Sequence, residues 1–171
     1  MKRVFAIFGT VAAVILLFSG CTIKLNGSSI PPELKTINVE YFENNAPLVV
    51  NYLSTQFTEA LKDRIRTTTR LSIVQGEADA RLSGSITGYS IEPVSIQATN
   101  TNVAPIAGAT RLTITVNVTY TNIANKKFNF TQSFPAYADF TGNISDQEQN
   151  LITTINKQLT EDIFNRAFAN W

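Results

Sequence analysis

The chain contains no histidine. It therefore lacks the side chain best suited to acid–base work near neutral pH, and the commonest zinc ligand with it. Cysteine occurs once, at position 21. That excludes any internal disulfide and any multi-thiolate metal site. No glycine-rich stretch has the spacing of a phosphate cradle. Charged residues are only 16% of the chain, and the two signs nearly balance, which argues against nucleic acid as a bulk partner. Beyond residue 20 no apolar run is long enough to cross a bilayer. Asp139 and Asp146 sit near turns and read as turn formers. No Ser–Lys or paired-carboxylate constellation stands out from solvated surface. The sequence thus assigns no catalytic residue, no metal and no cofactor, and the expectation is a protein that is not an enzyme.

What is present begins at the N-terminus. Lys2 and Arg3 precede an uncharged apolar run, residues 4–18, which ends in Ser19, Gly20 and Cys21. A short apolar run behind a positive start, closed by small residues, has the plan of a secretory signal peptide rather than a permanent span. Leu17-Phe18-Ser19-Gly20-Cys21 resembles the lipobox of bacterial lipoproteins, with Leu one place further from the cysteine than usual. The resemblance implies that residues 1–20 are removed and that Cys21 carries fatty acyl chains. Two or three such chains anchor a protein essentially irreversibly. Thr22, rather than Asp, follows the cysteine, which by the general sorting rule favours the outer membrane, with the body facing the periplasm. Without Lys2 and Arg3 the 14 basic residues become 12 against 13 acidic ones, a net charge of −1.

Residues 21–32 form a polar tether ending in Pro31-Pro32, and residues 33–171 suffice for one domain with its own core. Residues 36–42 alternate as a strand, with Ile37, Val39 and Tyr41 on one face, ended by Glu43-Asn44-Asn45. Pro47 suits the first turn of a helix over 48–70, whose apolar stripe is Val49, Leu53, Phe57, Ala60, Leu61 and Ile65. A short strand over 71–74 and a longer one over 80–91 follow. In the longer strand the inward parity changes at Gly88, which places a bulge or bend there. Residues 95–110 have no periodicity and form the longest loop. Residues 111–121 alternate without a break. Leu112, Ile114, Val116, Val118 and Tyr120 face the core, and Thr113, Thr115, Asn117, Thr119 and Thr121 face away, as in a sheet covered on one side. After a turn at 122–127, Phe128, Phe130 and Phe134 continue the pairing, and Pro135 and Tyr137 mark an irregular edge. Ser145-Asp146-Gln147-Glu148 reads as a capping box. The last helix points Ile152, Ile155, Leu159, Ile163, Ala167 and Phe168 inward, with Leu151, Phe164 and Trp171 widening the stripe.

Every strand has one apolar face and each helix one apolar stripe. The fold class that follows is α+β, a two-layer sandwich with two helices on one face of a mixed four- to five-stranded sheet. The first strand and the strand after the first helix are expected to be parallel neighbours, and the later strands antiparallel hairpins. Asn117, Asn129 and Asn143 open glycosylation-type triplets, read as chance in an Asn- and Thr-rich sheet. Lys126-Lys127 and Arg64-Arg66-Arg70 are small basic groups. They read as solvated surface or, functionally, as contacts for anionic lipid phosphates.

The lipobox, the phrases IPPELKTINVEYFEN, GSITGYSIEP and RLTITVNVTYTN, and the closing EDIFNRAFANW helix together resemble the LptE family of lipopolysaccharide-assembly lipoproteins, in its Bacteroidetes-type form. The resemblance runs over residues 21–171. It implies a non-catalytic plug inside the large β-barrel LptD, the pair inserting lipopolysaccharide into the outer leaflet. Residues that touch lipopolysaccharide cannot be carried over one by one, and the uncharged 95–110 loop offers no basic site. A plug must meet the barrel wall, so the candidate partner-binding residues are Asn100, Val103, Pro105 and Ile106 in the loop and Thr113, Thr115, Asn117 and Thr119 on the polar sheet face. The alternative reading is a stand-alone periplasmic lipoprotein that holds a glycan or lipid on that face.

Overall fold

The computed structural model describes residues 30–48, 50–94 and 108–169. The first strand, β1 (Thr36–Val39), and a two-residue strand, β2 (Glu43–Asn44), precede helix α1 (Leu53–Thr68). Strands β3 (Ser72–Ile73), β4 (Ala80–Pro93), β5 (Thr110–Asn122) and β6 (Phe130–Phe140) follow, then helix α2 (Glu148–Phe168). The sheet order is β3-β1-β4-β5-β6, with β2 beside β4 as a sixth strand. This is one strand more than the four to five expected: the addition is β2, whose two polar residues, Glu43 and Asn44, carry no apolar alternation. β1 pairs in parallel with β3 and β4, while β4, β5 and β6 form antiparallel hairpins.

One face of the sheet packs against both helices. Ile37, Leu82, Ile86, Leu112, Ile114, Val116, Val118 and Tyr120 are fully buried there, with Phe57, Leu61 and Ile65 of α1 and Ile152, Ile155, Leu159 and Ile163 of α2. Burial of each such side chain contributes on the order of 1.5–3 kcal/mol. Aromatic rings close one end of the core: Tyr120 stacks on Phe130 and meets Phe168 edge-on, both at 5.7 Å between ring centres. The helices run parallel, since Gln56 reaches Thr153 and, further along, Arg64 reaches Glu161.

The strand expected over 36–42 is broken. Val39 sits opposite Leu82, but Glu43 sits opposite Ser85, so the 39–43 segment holds one residue more than its partner. The extra residue reverses the parity. Tyr41, expected to face inward with Ile37 and Val39, is 55% exposed, and Phe42 is fully buried instead. Glu43-Asn44, expected to end the strand, resumes pairing as β2. The Phe42 ring sits 5.1 Å from that of Phe57, edge to face, and its amide donates to the Thr58 hydroxyl. It also fits against Gly84, where a Cβ would collide with the Asn117 carbonyl and press on Phe42.

The bulge expected at Gly88 is present, with the β4–β5 register shifting between Ile86 and Gly88. Helix α1 starts at Leu53 rather than at residue 48, and Pro47 lies in the bend before it. Ala60 is only half-buried, whereas Ser54 and Thr58 fill buried positions. Val49 and Trp171 lie outside the described residues. The capping box is not formed. A 3-10 turn over Ile144–Asp146 precedes α2, and its cap is Asn143, whose side chain accepts from the Ser145 amide. Gln147 occupies the N-cap of α2 without a side-chain cap bond. Its amide instead donates to the carbonyls of Thr141 and Asn143.

Candidate partner-binding surface

The face of the sheet away from the helices is a field of small polar side chains. On β5 it presents Thr113, Thr115, Asn117 and Thr119, all partly or fully exposed. Their cross-strand neighbours are Ser90, Gly88, Ser85 and Ser83 on β4 and Tyr137, Pro135, Ser133 and Thr131 on β6. The alternation in β5 causes this: β-branched threonines suit a pleated strand yet leave a hydroxyl toward solvent. The Thr119 and Thr131 hydroxyls lie 3.0 Å apart, bonded across the strands. The four threonine and asparagine candidates on β5 thus share one surface. The loop candidates Asn100, Val103, Pro105 and Ile106 lie outside the described residues, as does Cys21. The backbone on either side of residues 95–107 is paired, Val94 donating to the Ala109 carbonyl at 2.9 Å, at the end of the β4–β5 hairpin where Arg111 begins.

At that end Arg111 and Asp139 face each other across β5 and β6. The guanidinium grips the carboxylate with two bonds, of 2.7 and 2.9 Å, and lies 3.7 Å from the centre of the Tyr137 ring. The grip holds the Asp139 carboxyl below the usual carboxylate range. Asp139, read from the sequence as a turn former, is a strand residue in an ion pair. The signal was available: in a hairpin centred near residue 125, positions 111 and 139 fall opposite each other. Tyr89, at the same end of β4, donates to Glu148 at 2.7 Å, and Tyr52 donates to the other oxygen at 3.3 Å. Burial, then the bond to Glu148, pushes the Tyr89 phenol upward. This carboxylate ties the sheet to the start of both helices.

The opposite end of the sheet is built differently. One Asp79 carboxylate oxygen accepts from the amides of Lys35 and Thr36 and from the Thr36 hydroxyl, which in turn accepts from the Asp79 amide. These bonds, the Lys35 amide foremost, hold the Asp79 carboxyl below its ordinary value. Beside this latch lies a groove of about 580 Å³ lined by Glu77, Ala78, Arg81, Ser83, Thr121 and Ile123. Ile123 is 69% exposed. Arg81 reaches Glu40 at 3.1 Å. The groove was missed in sequence because Ile123 looked like part of a turn and Arg81 lies some forty residues away.

Two parallel helices on one face of a mixed sheet, with the other face hydroxyl-rich and open, define a two-layer α+β sandwich. The chain belongs to the LptE lipopolysaccharide-assembly family, whose model matches residues 34–167. It is similar in fold to uncharacterized lipoprotein B of Nitrosomonas europaea, at 14% identity and a TM-score of 0.52, over 84% of this chain and 87% of that one. Rare lipoprotein B of Shewanella oneidensis matches at 12% identity and a TM-score of 0.49, over 77% and 92%. No curated protein sequence is significantly similar.

Proposed function

We propose that the chain is a non-catalytic subunit of the outer-membrane lipopolysaccharide translocon. It is anchored by acyl chains on Cys21, faces the periplasm, and plugs and supports assembly of an LptD-type β-barrel that delivers lipopolysaccharide to the outer leaflet. The observation that carries this reading is the family match over residues 34–167, which takes in the whole sheet and both helices. The exposed threonine face of β5 supports it, since a plug needs a polar surface that can pack against a hydrated barrel wall at little desolvation cost. Depleting the chain should lower the amount of folded barrel and of lipopolysaccharide at the cell surface together. Normal levels of both under depletion would reject the proposal.

The groove at Arg81 and Ile123 favours a second reading, a stand-alone lipoprotein that holds a glycan or lipid itself. In that case the isolated chain would bind its ligand without any barrel, and Arg81→Ala with Ile123→Ser would abolish binding.

A further inference from the structure

One edge of the sheet is β6, which pairs with β5 on its other side. In an antiparallel pair, successive residues turn their N–H and C=O alternately toward one neighbour and the other. Three bonds fix that alternation along β5. The Ala109 carbonyl accepts from Val94 and the Ile123 amide donates to the Asp79 carbonyl, both on the β4 side. The Asn122 amide donates instead to Asn129, on the β6 side. Odd-numbered residues of β5 therefore bond toward β4 and even-numbered ones toward β6. Every β5–β6 pair joins residues of like parity, from Thr110 opposite Phe140 to Tyr120 opposite Phe130. Hence Thr131, Ser133, Pro135, Tyr137 and Asp139 turn their backbone groups away from β5. Pro135 agrees with this, because its missing N–H costs the ladder nothing on that side.

Among the described residues no backbone group bonds to this outward row. The edge is 11 residues long, against 2 in β3 at the opposite edge. Long edges are usually blunted by lysine, by a bulge or by a covering segment. β6 carries no lysine or arginine, and its register with β5 runs without a shift. Its one charge is Asp139, and Arg111 holds that carboxylate. Donors and acceptors recur along the row at about 7 Å, the two-residue repeat of a strand. Another strand matches that spacing. A second copy of β6 matches it poorly: full overlap about a two-fold axis sets Pro135 against Pro135, where neither chain has a donor.

We infer that the β6 edge is a docking site for an extended segment of the partner protein, added beside it as a further strand. The amides of Thr131, Ser133, Tyr137 and Asp139 donate to that segment and the outward carbonyls accept from it, as in strand addition. Its side chains lie alternately beside exposed Ser133 and Tyr137 on the polar face and beside buried Phe134 and Ala136 on the helix face. The segment is therefore polar and apolar in alternation. The inference rests on the proposed barrel partnership for the source of the segment. A closed barrel wall has no free edge, so the segment belongs to a loop or terminus of the barrel chain.

The test compares Ser133→Pro with Ser133→Ala in the tagged full-length chain, purified from detergent-solubilised membranes. Proline removes an outward donor that the domain itself does not use, whereas alanine keeps it. Both isolated variants should keep their circular dichroism and denaturation midpoint. If the proline variant does not fold, Ser133→Lys, which blunts an edge and leaves the backbone alone, takes its place. Ser133→Pro should lower the recovered barrel about tenfold or more, because a hydrogen bond is lost and the ring meets the added strand. Ser133→Ala should leave recovery unchanged. The Thr131, Ser133 and Tyr137 amides should exchange with deuterium rapidly in the isolated chain and slowly in the wild-type complex. Equal recovery with both variants, equal loss with both, or a dimer of the isolated chain that Ser133→Pro abolishes would overturn the inference and leave the barrel partnership standing. Wild-type chain recovered without any barrel would overturn both.

Discussion

Gly84 shows how one residue can be fixed from two sides. Its φ of +154° suits glycine, and a Cβ would meet the Asn117 carbonyl on β5 and the Phe42 ring. Gly84→Ala should therefore lower stability by about 2–4 kcal/mol, read as a shift in the denaturation midpoint. Asn156 is the opposite case. It is 2% exposed in α2, and neither amide atom has a partner among the described residues. Asn156→Leu should stabilise the domain by about 1–2 kcal/mol, because a buried unpaired amide costs that much; a lower midpoint would show that the amide has a function. Asp79 ties stability to pH. Its folded carboxyl lies below the unfolded value, so its contribution is complete above about pH 4 and is lost as the pH falls through the folded value. Asp139 acts in the same direction and window. Asp79→Asn should be less stable than wild type at neutral pH, with the gap closing below about pH 4. A gap that stays constant down to strong acid would contradict the latch.

At the scale of elements, β5 was legible because its alternation is unbroken from Leu112 to Tyr120, and one buried face makes the register unambiguous. Val116→Asp should unfold the domain, because an unpaired carboxylate at a fully buried position costs several kcal/mol. Thr115→Asp, one residue along, should fold normally; equal midpoints would mean the faces are misassigned. The bulge at Gly88 was legible as well, since both sides of the parity change lie within one strand. The extra residue between Val39 and Glu43 was not, because it appears only against the register of β4, forty residues on. Tyr41 and Phe42 are both aromatic, so nothing local tells which of them turns inward. The capping box failed for a related reason: Ser145 has the right chemistry, but Asn143 two residues earlier closes a tighter turn and shifts the helix start.

At the scale of the molecule, the sequence carries the two layers and the polar face of the sheet, while the groove at Ile123 and the open edge of β6 emerge only when distant segments are brought together. The proposed anchor at Cys21 should be separable from folding: Cys21→Ser should leave a folded chain that takes up no labelled fatty acid, and persistent label would refute acylation there. Shortening residues 100–107 to a tight turn should leave the stability of the isolated domain intact but weaken the proposed hold on a barrel, since Val103, Pro105 and Ile106 are uncharged and enter a partner at little desolvation cost. Unchanged barrel binding would move the contact to Thr113, Thr115, Asn117 and Thr119. The central claim is that this sandwich is an assembly subunit with a barrel partner. Its most direct test is affinity purification of the tagged full-length chain from detergent-solubilised membranes, with mass identification of what comes with it. The account predicts a large outer-membrane β-barrel protein in roughly equal amount, as expected of a closed two-protein complex. Recovery of the chain alone, from membranes in which the barrel is abundant, would contradict it.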